Sequence, residues 1–181
     1  MSDYSAMALS RNDIRQLATF IRKVFGYLDV WWRPVELLLD QMVQEFDEFS
    51  YEIVPDDEWD DTSVHADTDI LGHTIRIRES IYINACEGSG RDRMTIAHEI
   101  SHYILICVVG VKLCSCRDKR SVLPYNDPEW QAKCLAGELL IPVYKIKSLK
   151  GTPSVSRIAA LCGVSYDAAA YQLKKLGGGV T

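Results

Sequence analysis

No apolar run in this chain is long enough to cross a bilayer. The longest, ILICVVGV at 104–111, falls far short of the ~18 residues a spanning helix needs. The start, MSDYSAMALSRND, lacks a basic segment followed by an apolar one, so no secretory signal is expected. Internal repeats and low-complexity tracts are also missing, which argues against solenoids and linker-like chains. A basic excess is missing as well. Twenty Lys and Arg stand against twenty-five Asp and Glu, for a net charge of −5, so generic attraction to nucleic acid is not the default expectation. Six cysteines without a secretory signal read as reduced thiols in a cytoplasmic protein with no membrane partner. Cys86, Cys107, Cys134 and Cys162 sit in apolar stretches and read as small core residues. The C-x-C at 114–116 has no second pair and is a weak metal signal.

What remains is enough for one core. The chain has 181 residues, 48% of them hydrophobic, which suits a single main domain with a small appendage. Its charge is uneven. Residues 143–181 hold six basic residues against Asp167 alone, while 55–69 hold seven acidic residues and neither Lys nor Arg. The acidic stretch reads as a solvated loop, with an attractive rim for a basic partner as the second reading.

Periodicity predicts a mainly helical α+β protein. A helical stripe runs through Ile14, Leu17, Ala18, Ile21, Val24, Phe25 and Leu28, with Ser10 and Asp13 placed as a capping box. Pro34 opens a second helix. FSYEIV (49–54) and the alternating TIRIRESIYINA (74–85) predict strands of a small antiparallel sheet. A further helix is expected from about Arg91 to Val109, and another over 128–140 with proline at its start. KGTP (150–153) reads as a linker. The expected organisation is therefore residues 1–150 as the main domain and 151–181 as a helix-turn-helix-like tail.

Histidine is scarce, with four in the chain, yet two of them lie four residues apart in MTIAHEISHYIL (94–105). On a helix, positions i and i+4 share a face, so His98 and His102 can direct two imidazoles at one metal ion. Glu99 lies about 100° further round, beside such an ion rather than beneath it. With ten glutamates in the chain, chance produces H-E-x-x-H in roughly one such chain in two hundred. A catalytic zinc needs a third protein ligand and an open position. Leu105 and Val108 occupy the places of the glycine and histidine in the longer H-E-x-x-H-x-x-G-x-x-H pattern, so the third ligand must come from elsewhere. Glu129 opens the next helix, and Glu138 faces the opposite side of it. Asp127, His73 and His65 have weaker positional claims.

At IRIRESIYINACEGSGRDRMTIAHEISHYIL (75–105) and DPEWQAKCLAGELLIP (127–142) the chain resembles the ImmA/IrrE family of zinc metallopeptidases. The resemblance extends over most of residues 10–176. It implies a zincin-like core, Zn²⁺ held by His98, His102 and Glu129, and Glu99 as catalytic base. The implied partner and substrate is a helix-turn-helix transcriptional repressor encoded nearby, in a mobile element or stress response. Two positions depart from the family pattern. Ser101 replaces a glycine, and Lys133 replaces an Asn or Asp that in such enzymes orients a metal-bound histidine.

Other readings stay open on the residues alone. Two histidines and a carboxylate also suit iron or manganese. A non-catalytic zinc protein could sequester its partner without cutting it. The tail RIAALCGVSYDAAAYQLKKL could serve a DNA-binding regulator, although its second helix starts with Asp167 and alanines rather than base-reading side chains. Tyr82, Tyr103, Tyr125 and Tyr144 are the candidates for an oxyanion donor, and the strand around 75–84 for pairing with an extended substrate.

Overall fold

The computed structural model describes residues 4–115 and 122–177. It is α+β and mainly helical. In chain order come β1 (Tyr4–Ala6), α1 (Arg11–Val24), α2 (Val35–Glu45), β2 (Ser50–Val54), β3 (Ala66–Asp69), β4 (Thr74–Arg78), α3 (Glu79–Cys86) and α4 (Gly90–Tyr103). After these follow β5 (Leu113–Ser115), α5 (Pro128–Leu140), α6 (Val143–Ser148), α7 (Val155–Cys162) and α8 (Tyr166–Gly177). No helix among the described residues is long and apolar enough to cross a membrane.

Local signals explain where the helices begin. Ser10 accepts from the Asp13 amide and Asp13 reaches back to the Ser10 amide, closing the capping box that starts α1. Pro34 stands immediately before α2, and Pro128 fills the first turn of α5. The buried faces of α1 (Ile14, Ala18, Ile21), α4 (Ile96, Ala97, Ile100) and α5 (Ala132, Leu135, Ala136, Leu139) meet in one hydrophobic core. Within it α4 packs between α5 and the strands β3 and β4.

The sheet differs from the sequence expectation in two ways. Only Thr74–Arg78 of the predicted 74–85 strand is extended, and Glu79 already starts α3. Asp56 accepts from the Ser80 amide, while the Arg78 guanidinium is bound by the carbonyls of Asp56, Asp61 and Val64. These contacts turn the chain at that point. Beyond it Ile81 and Ala85 are buried four residues apart, whereas Ile83 is exposed, so what looks like alternation is one helical face. The sheet is also mixed rather than antiparallel. β2 runs parallel to β4 and β3 antiparallel to it, in the order β2-β4-β3. The strand within 75–84 is therefore central, and β2 and β3 form the edges of this sheet. A separate antiparallel pair joins β1 to β5.

Just after the second histidine, α4 widens into a π-helical turn, Ile104–Val108, where the Val109 amide bonds the Ile104 carbonyl. At the other end of α4, Arg93 is 1% exposed and donates to the carbonyls of Cys162, Gly163 and Arg33. Burial pushes its pKa down to about 10. Gly163 takes a left-handed conformation between α7 and α8, and Ile158, Cys162 and Ala169 enter the common core. A Cβ on Gly90 would lie 2.5 Å from the Val164 backbone, so the α7–α8 turn rests directly against the start of α4.

Cys134 and Cys162 are buried, and burial raises each thiol to about 11. Cys107 is part-buried. Cys86, expected in the core, is exposed at the end of α3. Cys114 is exposed, and Cys116 of the C-x-C pair lies outside the described residues.

Candidate metal centre

The site is assembled from one turn of α4 and the first turn of α5. His98 and His102 lie one above the other on α4, with ring centroids 4.6 Å apart and planes at 88°. Asp127 caps α5 by accepting from the Glu129 amide at 3.0 Å, and Pro128 fixes the next residue. That start places the Glu129 side chain opposite both imidazoles. His98 Nε2 is 3.2 Å from Glu129 Oε2, and His102 Nε2 is 3.4 Å from Glu129 Oε1. The two Nε2 atoms are 3.1 Å from each other.

These separations fit a metal. A tetrahedral ion with bonds of 2.0–2.1 Å sets its ligand atoms about 3.3–3.4 Å apart. Two Nε2 lone pairs facing one another need a cation between them, either a proton or a metal. Among the described residues this is the group of His, Cys, Asp or Glu side chains whose ligand atoms converge, all within 4.8 Å. The neighbouring imidazoles, His102 first and then His98, hold the Glu129 carboxyl well below the usual carboxylate range. His102 is buried at 3% exposure. His98 and Glu129 are part-buried, which leaves the centre open on one side.

Glu99 lies alongside. Its Oε2 accepts a 2.7 Å hydrogen bond from the Thr68 hydroxyl on β3. Burial raises its pKa, while that hydrogen bond and the two imidazoles pull the other way. Thr68 went unnoticed in the sequence because it sits in the acidic stretch read as a solvated loop. Nothing local marks it; only the pairing of β3 with β4 brings it to α4.

The other candidates fall elsewhere. Glu138 is buried and bonded to Arg15 of α1 at 3.0 Å. Asp127 acts as a helix cap. His73 lies 3.3 Å from the Tyr103 hydroxyl and 3.4 Å from Glu48, and His65 is in the loop before β3. Neither joins the converging group. Tyr103 packs against Phe49, Tyr82 stacks on Tyr51, and Tyr144 bonds Arg22 and the Leu28 carbonyl. Tyr125 is exposed. Lys133 is also exposed, on the wall of a groove beside His98. Its charge is therefore spread into solvent.

No curated protein matches the chain. A family model for the IrrE N-terminal-like domain, peptidase M78, matches residues 50–174, the span that carries the sheet, α4, α5 and most of the last two helices. With the histidine–histidine–glutamate group inside that span, the chain belongs to this peptidase family.

Proposed function

We propose that this chain is a zinc-dependent endopeptidase of the cytoplasm. Its substrate is a helix-turn-helix transcriptional repressor or antitoxin-like partner, and cleavage relieves repression in a mobile-element or stress response. The observation that carries the reading is the meeting of His98, His102 and Glu129 across two helices, with Glu99 beside them.

The three converging side chains would hold the ion. When bound, zinc supplies Lewis acidity, which polarises a peptide carbonyl and acidifies water. The remaining work falls to the chain. Glu99 accepts the proton of the attacking water on its carboxylate and passes it to the leaving amine. Thr68 holds that carboxylate in place through Oε2. β3 forms the edge of its sheet and runs past Glu99, which supports pairing of an extended substrate segment with it. The acidic 55–69 stretch flanks the same edge and favours a substrate carrying basic residues.

The tail, residues 151–181 in this reading, is a helix-turn-helix-like docking unit rather than a reader of DNA. Asp167 lies in the first turn of α8, and Ala168, Tyr171 and Gln172 line a groove shared with α5. That placement favours packing over base contacts.

The test is incubation of the zinc-loaded protein with the repressor encoded beside it, read by intact-mass spectrometry. The expected result is cleavage by wild type, none with chelator, and none by Glu99→Gln, which still binds zinc. Wild-type cleavage rates in Glu99→Gln would remove Glu99 as the base. An intact repressor held in a stable complex by the zinc-loaded wild type would establish sequestration instead.

A further inference from the structure

Beside His98, on the side of the metal centre away from β3, lies a largely apolar groove of about 330 Å³. Met94 and His98 of α4, Trp130 and Ile141 from the α5 region, and Tyr171 of α8 line it. The size is at the lower end of the range for ligand pockets. Lys133 and Gln172 also line it. Gln172 is 2% exposed, and its Nε2 has no hydrogen-bond partner among the described residues.

Gly137 gives the groove its depth. It lies in the interior of α5, where glycine is the poorest helix former after proline. Its backbone does not take a positive φ, and a Cβ there would meet only the Gln172 side chain, at 3.5 Å, an ordinary contact. Neither backbone conformation nor close packing therefore calls for glycine. What its missing side chain leaves is open space within the groove, two turns along α5 from Glu129.

We propose that this groove receives a bulky apolar side chain, of the leucine or phenylalanine class, from the substrate residue next to the scissile bond, and that Gly137 sets which side chains fit. The inference rests on the peptidase reading above, because continuity with His98 is what makes the occupant a substrate residue. It also gives α8 a part in substrate choice, since Tyr171 and Gln172 supply one wall.

The experiment uses small metal-anchored probes, so that no turnover is needed. N-acetyl-leucine, N-acetyl-phenylalanine and N-acetylglycine hydroxamates are titrated into the zinc-loaded full chain and followed by tryptophan fluorescence, with Trp130 as the local reporter. The expected result is at least roughly tenfold tighter binding of the leucine or phenylalanine probe than of the glycine probe, in the range one well-placed apolar group supplies. In Gly137→Leu that advantage should vanish while zinc affinity holds. Equal binding of all three probes to wild type, or an advantage that survives in Gly137→Leu, overturns the proposal. Failure of every probe, the glycine one included, strikes the metal centre instead. In that event thermal unfolding of Gly137→Ala tests whether the groove wall is open at this position. A rise in Tm of roughly 2–4 °C, as expected where only helix propensity changes, supports it. A fall shows that packing requires the glycine, and overturns it.

Discussion

Two glutamates on α5 face opposite fates. Glu138, in the last turns, is 1% exposed at its side chain and held by Arg15, which supplies a full positive charge from within the chain. Glu129, in the first turn, is about one-third exposed and faces two imidazoles. Nine residues separate them, enough to turn a helix two and a half times and present opposite faces. The first is a closed ion pair between α1 and α5. The second faces two imidazoles, and the ligand atoms of all three side chains lie close enough to hold one metal ion. A buried carboxylate with its own arginine is architecture, whereas one that shares its space with two imidazole nitrogens is chemistry.

The sharpest break between the two regions should come at Glu99. Glu99→Gln should lower kcat/KM for the proposed repressor substrate by roughly 10²–10⁴-fold, the range of a lost general base, while metal analysis of the zinc-loaded variant still finds one zinc per chain. Zinc at much reduced occupancy would mean that Glu99 belongs to the ligand set. Next comes Glu129→Gln. Removing an anionic ligand should cost more than the 10–100-fold typical of residues behind the ligands, so calorimetry should read a zinc affinity at least about a hundredfold weaker. Its metal-free Tm should move far less than that of Glu138→Ala.

For Glu138→Ala the pattern reverses. Breaking a buried pair is strongly destabilising, and because Arg15 is a quarter exposed, the loss should be about 3 kcal/mol, or roughly 6–12 °C in Tm. Zinc affinity should stay within a few-fold of wild type. A variant of Glu138 that lost zinc without losing stability would erase the contrast.

The smallest effect is expected far from either glutamate. Ser10→Ala removes the α1 cap and should cost about 1 kcal/mol. Its partner Asp13 has a pKa held below the ordinary 3.8 by the Ser10 side chain and then the Ser10 amide. A lowered folded pKa stabilises above the ordinary value and is lost as pH falls through the folded one. The gap between wild type and Ser10→Ala in denaturant titrations should therefore narrow below about pH 3.8.

Much of this arrangement was readable from the chain because it depends on local geometry. The His98–His102 spacing needs only the helical repeat, and the starts of α1, α2 and α5 are written in Ser10, Pro34 and Pro128. Glu129 was legible because a helix start places its first-turn residues. Other features failed for an equally physical reason. Ile81 and Ile83 read as strand alternation, and what decided for a helix was the turn around Arg78, which Asp56 binds from more than twenty residues earlier in sequence. The central position of β4 depends on β2 pairing across an intervening strand. Thr68 looked like one polar residue in a solvated loop.

The sequence by itself determined which helix carries two imidazoles on one face, where the following helix begins, and that no long apolar segment is present. Those properties follow from residue-by-residue backbone preferences within a few turns. Only the tertiary structure decided that the Glu129 carboxylate meets both imidazoles, that Thr68 holds Glu99, and that α8 closes a groove against α5. Each of these joins segments far apart in the chain, and long-range packing of buried faces, rather than local propensity, sets such distances.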